Sequence, residues 1–282
     1  MTSLADVAAL LEELFPTDTA QSWDAVGLVT GELDDQVQRI RLAVDPTQAV
    51  IDQAVTDQVD VLITHHPLLL RGVHSVAPAV SAKGAAITAL IRGRLSLIVA
   101  HTNADVGHGG VSDALAAAVG LSDPSPLAIE EGQPMGRLGQ LANPTSLVDF
   151  AHALAAALPA AAGGIRVSGP AQAPVRTVAV MGGAGDGFFG AARAGGADVY
   201  VTADLRHHPV LEDRETSAGG PPYIIDAGHW ATESLWLTGL KSRLDQRFGA
   251  LPAADRVQTD ISTLRTDPWT FTIGAEPPGG TA

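Results

Sequence analysis

Residues 59–67 read Val59-Asp60-Val61-Leu62-Ile63-Thr64-His65-His66-Pro67. The stretch 59–64 is short, β-branched and almost continuously apolar, as a strand must be when both faces of its sheet are covered. It ends in two imidazoles and a proline. Consecutive strand residues point to opposite faces, so both histidines can address one site only where the strand has already stopped. Pro67 holds His66 extended and blocks continuation as a helix. Alone, the dipeptide favours a surface histidine beside a core one.

Working outward, short apolar strands alternate with helical periodicity. Strands are expected over 40–45 and 95–100, and helices over 48–58 and 83–92. Ser112 is placed to cap a helix that Gly120 ends. Ahead of these, Ser3 and Asp6 resemble a capping box opening a helix that Pro16 stops. A second alternation follows, with strands over 175–181, 198–202 and 223–226, a helix over 187–194 and a long amphipathic helix over 228–248. Between the two lie a connector with three prolines over 122–134, a strand over 136–141, a helix over 146–158 and a short strand near 165–167. The pattern predicts an α/β protein with largely parallel sheets in two lobes. The first lobe covers 1–121, the connector 122–135, the second lobe 136–265 and a tail 266–282, whose Pro/Gly-rich end, 276–282, is expected to be disordered. Arg206-His207-His208-Pro209 echoes Thr64-His65-His66-Pro67, each following a strand.

Composition removes several classes of function. The 282 residues are 46% hydrophobic and 17% charged, which fits a globular chain with a real core. The net charge of −14 disfavours general binding to nucleic acid or anionic membranes. Without cysteine there are no disulfides, iron–sulfur clusters or thiolate zinc sites. Any metal must be held by His, Asp, Glu or backbone oxygen. The start of the chain is amphipathic and acidic rather than a signal peptide, and no run of about 18 apolar residues could span a bilayer. A cytoplasmic location is expected.

Ligands of open parallel sheets bind beyond the carboxyl ends of the strands. Those ends collect Asp45, then His65 and His66, then His101, Asn103 and Asp105, and in the second half Asp204 to His208, Asp226 and His229. His229 and Glu233 are spaced i, i+4, which puts them on one helix face. Asp105 is expected in a loop with Gly107, Gly109 and Gly110. Alone, His-x-x-x-Glu is an ordinary polar face and Asp105 an ordinary turn residue. Together, His65, His66, Asp105, His229 and Glu233 offer three imidazoles and two carboxylates, a donor set suited to Zn, Mn, Fe or Co. Two ions sharing so few ligands would keep positions open for water or substrate. His101 and His208 are candidates for proton transfer. Asp45 and Asp226 are candidates to orient ligating imidazoles, or equally to cap helices.

The chain resembles the GTP cyclohydrolase I type 2-like family, also called the Ngg-one-interacting-factor-three-like family of dinuclear-metal hexameric proteins. The resemblance is nearly full length. It runs through Trp23-Asp24-Ala25-Val26-Gly27-Leu28, Leu42-Ala43-Val44-Asp45-Pro46-Thr47, 60–68, 100–105, 109–113, Met181-Gly182-Gly183-Ala184-Gly185, 196–204 and 226–233. It implies two divalent ions per chain held by His65, His66, Asp105, His229 and Glu233. It also implies two similar α/β lobes with the metal site between them, a homohexamer, and a metal-dependent hydrolase acting on a nucleotide or related small molecule. The domain that some relatives carry between the lobes is expected to be missing. Ala25 stands where the family usually has Asn, and Ala203 where a glycine usually precedes Asp204.

Two other readings compete. A metal-bearing ring could serve as a non-catalytic scaffold or regulatory protein. Gly185-x-Gly187-x-x-Gly190, with Asp204 after the next strand, matches a dinucleotide fingerprint, but no hydride-transfer constellation accompanies it.

Overall fold

The computed structural model describes residues 1–252 and 255–274, so the end of the chain expected to be disordered, 276–282, lies outside the described residues. The fold is mixed α/β with two main sheets. The chain divides into two units, one of Met1–Gly110 with Leu237–Thr266, the other of Val111–Trp236 with residues from Asp267 onward.

In the first unit, β1 (Gly27–Thr30), β2 (Arg39–Ala43), β3 (Val61–Thr64) and β4 (Ser96–Val99) join a strand at Gln258–Ile261. Across the sheet the order is β1, β4, β3, β2, then Gln258–Ile261. All pairings are parallel except β1 with β4. β3 and β4 are buried along their whole length, which explains the apolar runs Val61–Ile63 and Leu97–Val99. Helices α1 (Leu4–Leu14), α2 (Gln48–Thr56) and α3 (Ala82–Gly93) accompany the sheet. Val50, Ile51 and Ala54 of α2 and Ala86 and Leu90 of α3 share a core with Leu62 and Leu97. The predicted capping box is present: the Ser3 hydroxyl accepts from the Asp6 N–H, and the Asp6 carboxylate accepts from the Ser3 N–H.

The strand Gln258–Ile261 puts residues 237–266 in the first unit, whereas the sequence predicts 237–265 in the second lobe and 266 in the tail. Its sequence, Gln-Thr-Asp-Ile, has no apolar run to announce a strand. The joint is made by charge: the guanidinium of buried Arg41 on β2 donates to both oxygens of Asp260, at 2.6 and 2.9 Å, and to Asp57 at 2.7 Å. Those partners, together with burial that acts in the opposite sense, hold the Arg41 pKa above its usual value.

The second unit begins with α5 (Val111–Ala118), preceded in the first unit by the short α4 (Thr102–Val106). Its strands are β5 (Leu121–Ser125), β6 (Ala128–Glu130), β7 (Gln133–Met135), β8 (Arg137–Ser146), β9 (Arg166–Ser168), β10 (Pro174–Ala184), β11 (Val199–Ala203) and β12 (Tyr223–Asp226). The main sheet runs β5, β8, β10, β11, β12, β9. Its centre, β10–β11–β12, is parallel, and its flanks are antiparallel. Residues 122–135, read as a connector, instead hold most of β5 and the β6–β7 hairpin. Pro124 is tolerated because β5 is an edge strand, where a missing N–H costs no ladder bond. The helices are α6 (Leu147–Ala157), α7 (Phe189–Ala194), α8 (His207–Thr216) and α9 (His229–Ser234). The long helix expected over 228–248 starts as α9, and Leu235 after it keeps helical backbone geometry. It continues as α10 (Trp236–Leu244), followed by a wider turn over 245–249.

Candidate metal centre

In the first unit, the carboxyl ends of three adjacent strands carry the chemistry. β2 leads to Asp45, β3 to His65 and His66, and β4 to His101. The three imidazole centroids lie 5.0–5.6 Å apart. Each ring offers a nitrogen such that all three lie within 4.8 Å of one another. His101 therefore belongs with the pair the sequence singled out for metal. Asp105 is on α4 and not in the loop expected for it, because His101 acts as the helix N-cap and its carbonyl accepts from the Asp105 N–H. Asn103 fixes this turn by accepting from the His101 N–H and donating to the Phe15 carbonyl. The outcome is Asp105 Oδ1 at 3.6 Å from Nε2 of fully buried His65.

All three rings are oriented the same way, through Nδ1. His65 Nδ1 is 3.0 Å from the Ala100 carbonyl, His66 Nδ1 2.6 Å from Asp45 Oδ1, and His101 Nδ1 2.9 Å from Asp24 Oδ1. A ring nitrogen facing an acceptor carries the proton, so the neutral imidazole keeps its lone pair on Nε2. Metal-binding histidines are held in this way. Asp45 has a supporting partner of its own, since the Thr266 hydroxyl donates to its other oxygen. Asp24 had no role assigned from sequence beyond its place in a quoted motif. Burial raises its pKa, but donors from His101 and Thr102 outweigh this and hold the carboxyl well below the usual range.

In the second unit, α9 puts His229 and Glu233 one turn apart, with Nε2 of His229 2.9 Å from Glu233 Oε1. Nδ1 of His229 is 2.8 Å from Asp204 Oδ2. Burial alone would depress the His229 pKa. The two carboxylates override it and push the ring up to about 11. Gly183 supplies the space for Glu233: its φ is +66°, and a Cβ there would run into the Glu233 carboxylate. The Gly183 N–H donates to Thr232 and its carbonyl accepts from the Thr202 hydroxyl.

One expectation resolves differently here. Asp204, not Asp226, orients His229. Asp226 instead accepts from the Leu205 and Gly228 N–H groups and from the Arg166 guanidinium. His208 opens α8 with His207, exposed and edge-on to it at 5.2 Å, and neither joins a group of candidate metal ligands among the described residues.

The donor set fits a divalent ion: imidazole nitrogens with Nδ1 anchored, carboxylates beside them, and no thiolate. Of the three glycines in the dinucleotide fingerprint, only Gly185 is sterically required, where a Cβ would meet the Thr202 and Tyr200 hydroxyls. A Cβ at Gly187 or Gly190 would meet nothing within 4 Å, and Asp204 is committed to His229.

The family model described as Duf34/NIF3 (NGG1p interacting factor 3) matches residues 2–268. The chain belongs to the Duf34/NIF3 family. Among relatives in this family, a Streptomyces coelicolor protein named GTP cyclohydrolase 1 type 2 homolog is 45% identical over 98% of this chain and 97% of its own. A Mycobacterium tuberculosis protein of the same name is 34% identical over 94% of this chain and 96% of its own. That alignment runs to 376 positions, so the mycobacterial Duf34/NIF3 protein carries residues that this chain lacks. The crystal structure of Staphylococcus aureus hypothetical protein SA1388 superposes with a TM-score of 0.85 at 28% identity, covering 96% of this chain and 99% of that one. Among the described residues of this Duf34/NIF3 chain, no helix is long and apolar enough to cross a membrane.

Proposed function

We propose that His65, His66, Asp105, His229 and Glu233 hold two divalent ions. The observation that carries this is the shared anchoring of Nδ1 on His65, His66 and His229, which leaves Nε2 of each ring for coordination. Bound zinc, manganese, iron or cobalt would supply Lewis-acid polarisation of a substrate oxygen and a bound water of lowered pKa, toward ~7 for zinc. The chain thus reads as a metal-dependent hydrolase acting on a nucleotide or related small molecule. The family resemblance supports a homohexamer, and composition fits a cytoplasmic setting.

The residues divide the remaining work. Ionised Asp24 holds the Nδ1 proton of His101, so His101 presents a basic Nε2 beside His65 and His66, placed to accept a proton from water or substrate. Asp45 and Asp204 keep His66 and His229 from rotating. Gly183 leaves the room that Glu233 needs.

Metal analysis of protein purified without chelator should give about two ions per chain, as a two-ion centre requires. A screen of nucleotides and phosphoesters should find turnover that His65→Ala abolishes. Full occupancy with no turnover across the screen would leave the scaffold reading in its place.

A further inference from the structure

We propose that Trp23 is the stacking wall of this centre and that the substrate it selects carries a flat heteroaromatic ring. The proposal deepens the hydrolase reading and rests on it. The Trp23 indole is 54% exposed, and its ring lies edge-on to His101 with centroids 5.9 Å apart. His101 is itself packed against His65 and His66. Apolar side chains exposed singly are ordinary and need no explanation. Trp23 differs because its position is built.

The turn bearing it is fastened on both sides of the indole. Before it, the Gln21 N–H donates to the Thr102 hydroxyl, and the Gln21 carbonyl accepts from the Asp24 N–H. After it, the Asp24 carboxylate accepts from the Thr102 N–H at 3.0 Å and faces His101 Nδ1. The indole N–H donates to the Gln21 side chain at 2.7 Å, which satisfies its polar edge within the protein. With its polar edge satisfied, the half-exposed residue offers aromatic surface outward. A half-exposed indole held on a fixed turn with its donor engaged is suited to recognise flat rings by stacking, tolerant of their substituents. A ring laid on it would stand at about the same steep angle to His101 as the indole does, 79°, next to the imidazole cluster.

The test compares probes that differ only in the ring. Binding of guanosine 5′-monophosphate, adenosine 5′-monophosphate and ribose 5-phosphate would be measured by calorimetry on metal-loaded wild type, Trp23→Ala and Trp23→Phe, with metal content determined for each. Wild type should bind both nucleotides more tightly than ribose 5-phosphate. Trp23→Ala should keep its metal and lose roughly 5- to 100-fold in nucleotide affinity, the usual range for one base–aromatic stack, with ribose 5-phosphate unchanged. Trp23→Phe should recover most of the loss. Equal binding of all three probes by wild type overturns the proposal, and so does a Trp23→Ala loss that extends to ribose 5-phosphate or resists rescue by phenylalanine. Failure of the underlying reading would look different: wild type would hold no metal at all.

Discussion

Nδ1 of His66 lies 2.6 Å from Oδ1 of Asp45, and the other Asp45 oxygen accepts from Thr266. A carboxylate fixed by a second donor fixes the ring in turn, and His229 has a similar anchor in Asp204. The roles of these acids can be separated from those of the ligands themselves.

Asp45→Ala should fold normally and bind divalent metal about 10- to 100-fold more weakly than wild type, the common cost of removing a carboxylate behind a ligating histidine. Competition against a chelating dye, with circular dichroism as the folding control, measures it. Unchanged affinity would mean that the His66 orientation is set by something other than Asp45.

Gly183→Ala forces a side chain into left-handed backbone geometry and against the Glu233 carboxylate. The backbone term alone is about 1–2 kcal/mol. For a chain of this size that corresponds to a fall of several °C in Tm, at roughly 2–4 °C per kcal/mol. Metal affinity should fall with it. Gly187→Ala, which meets open space, should leave both unchanged. Equal melting curves for the two variants would remove Gly183 from the account.

The Arg41–Asp260 joint should respond asymmetrically. Asp260→Ala leaves a buried guanidinium short of its bidentate partner, whereas Arg41→Met leaves carboxylates that are 39–46% exposed and can hydrate. Asp260→Ala should therefore be the more destabilising, by about 1–3 kcal/mol for lost charge-assisted hydrogen bonds, and Arg41→Met the milder. Urea unfolding of both decides it, and the reverse order would contradict the reading.

Tyr200 gives a pH dependence with a defined sign. Burial raises its pKa, only partly offset by Thr202, and its hydroxyl donates to the Gly185 carbonyl at 2.9 Å. Because the folded pKa lies above the unfolded one, the contribution is complete below pH ~10 and is lost as pH rises beyond that. Tyr200→Phe should cost about 1 kcal/mol at pH 8. Its stability should then decline less steeply than that of wild type above pH ~10. Parallel alkaline limbs in urea titrations would show that Tyr200 contributes nothing to them.

The elements legible in the sequence were those whose burial writes a pattern. β3 and β4 carry apolar runs because both faces are covered, and His65-His66-Pro67 stands out because it follows such a run. The i, i+4 spacing of His229 and Glu233 survived because α9 needs only one turn to express it. Polar elements held by tertiary partners were hidden. Gln258–Ile261 is a strand because Arg41 binds Asp260, a partner more than two hundred residues away. β5 tolerates Pro124 because it is an edge. Asp24 and Asp204 could not be told from turn residues, since their work is to face an imidazole that only the fold brings to them.

Anomalous diffraction at the metal edge from metal-loaded crystals tests the central claim most directly. Two peaks about 3.5–4 Å apart are expected, as in two-metal hydrolytic sites, coordinated by Nε2 of His65, His66 and His229 and by the carboxylates of Asp105 and Glu233. A single peak, or peaks at the His207–His208 pair with none at these residues, would contradict it.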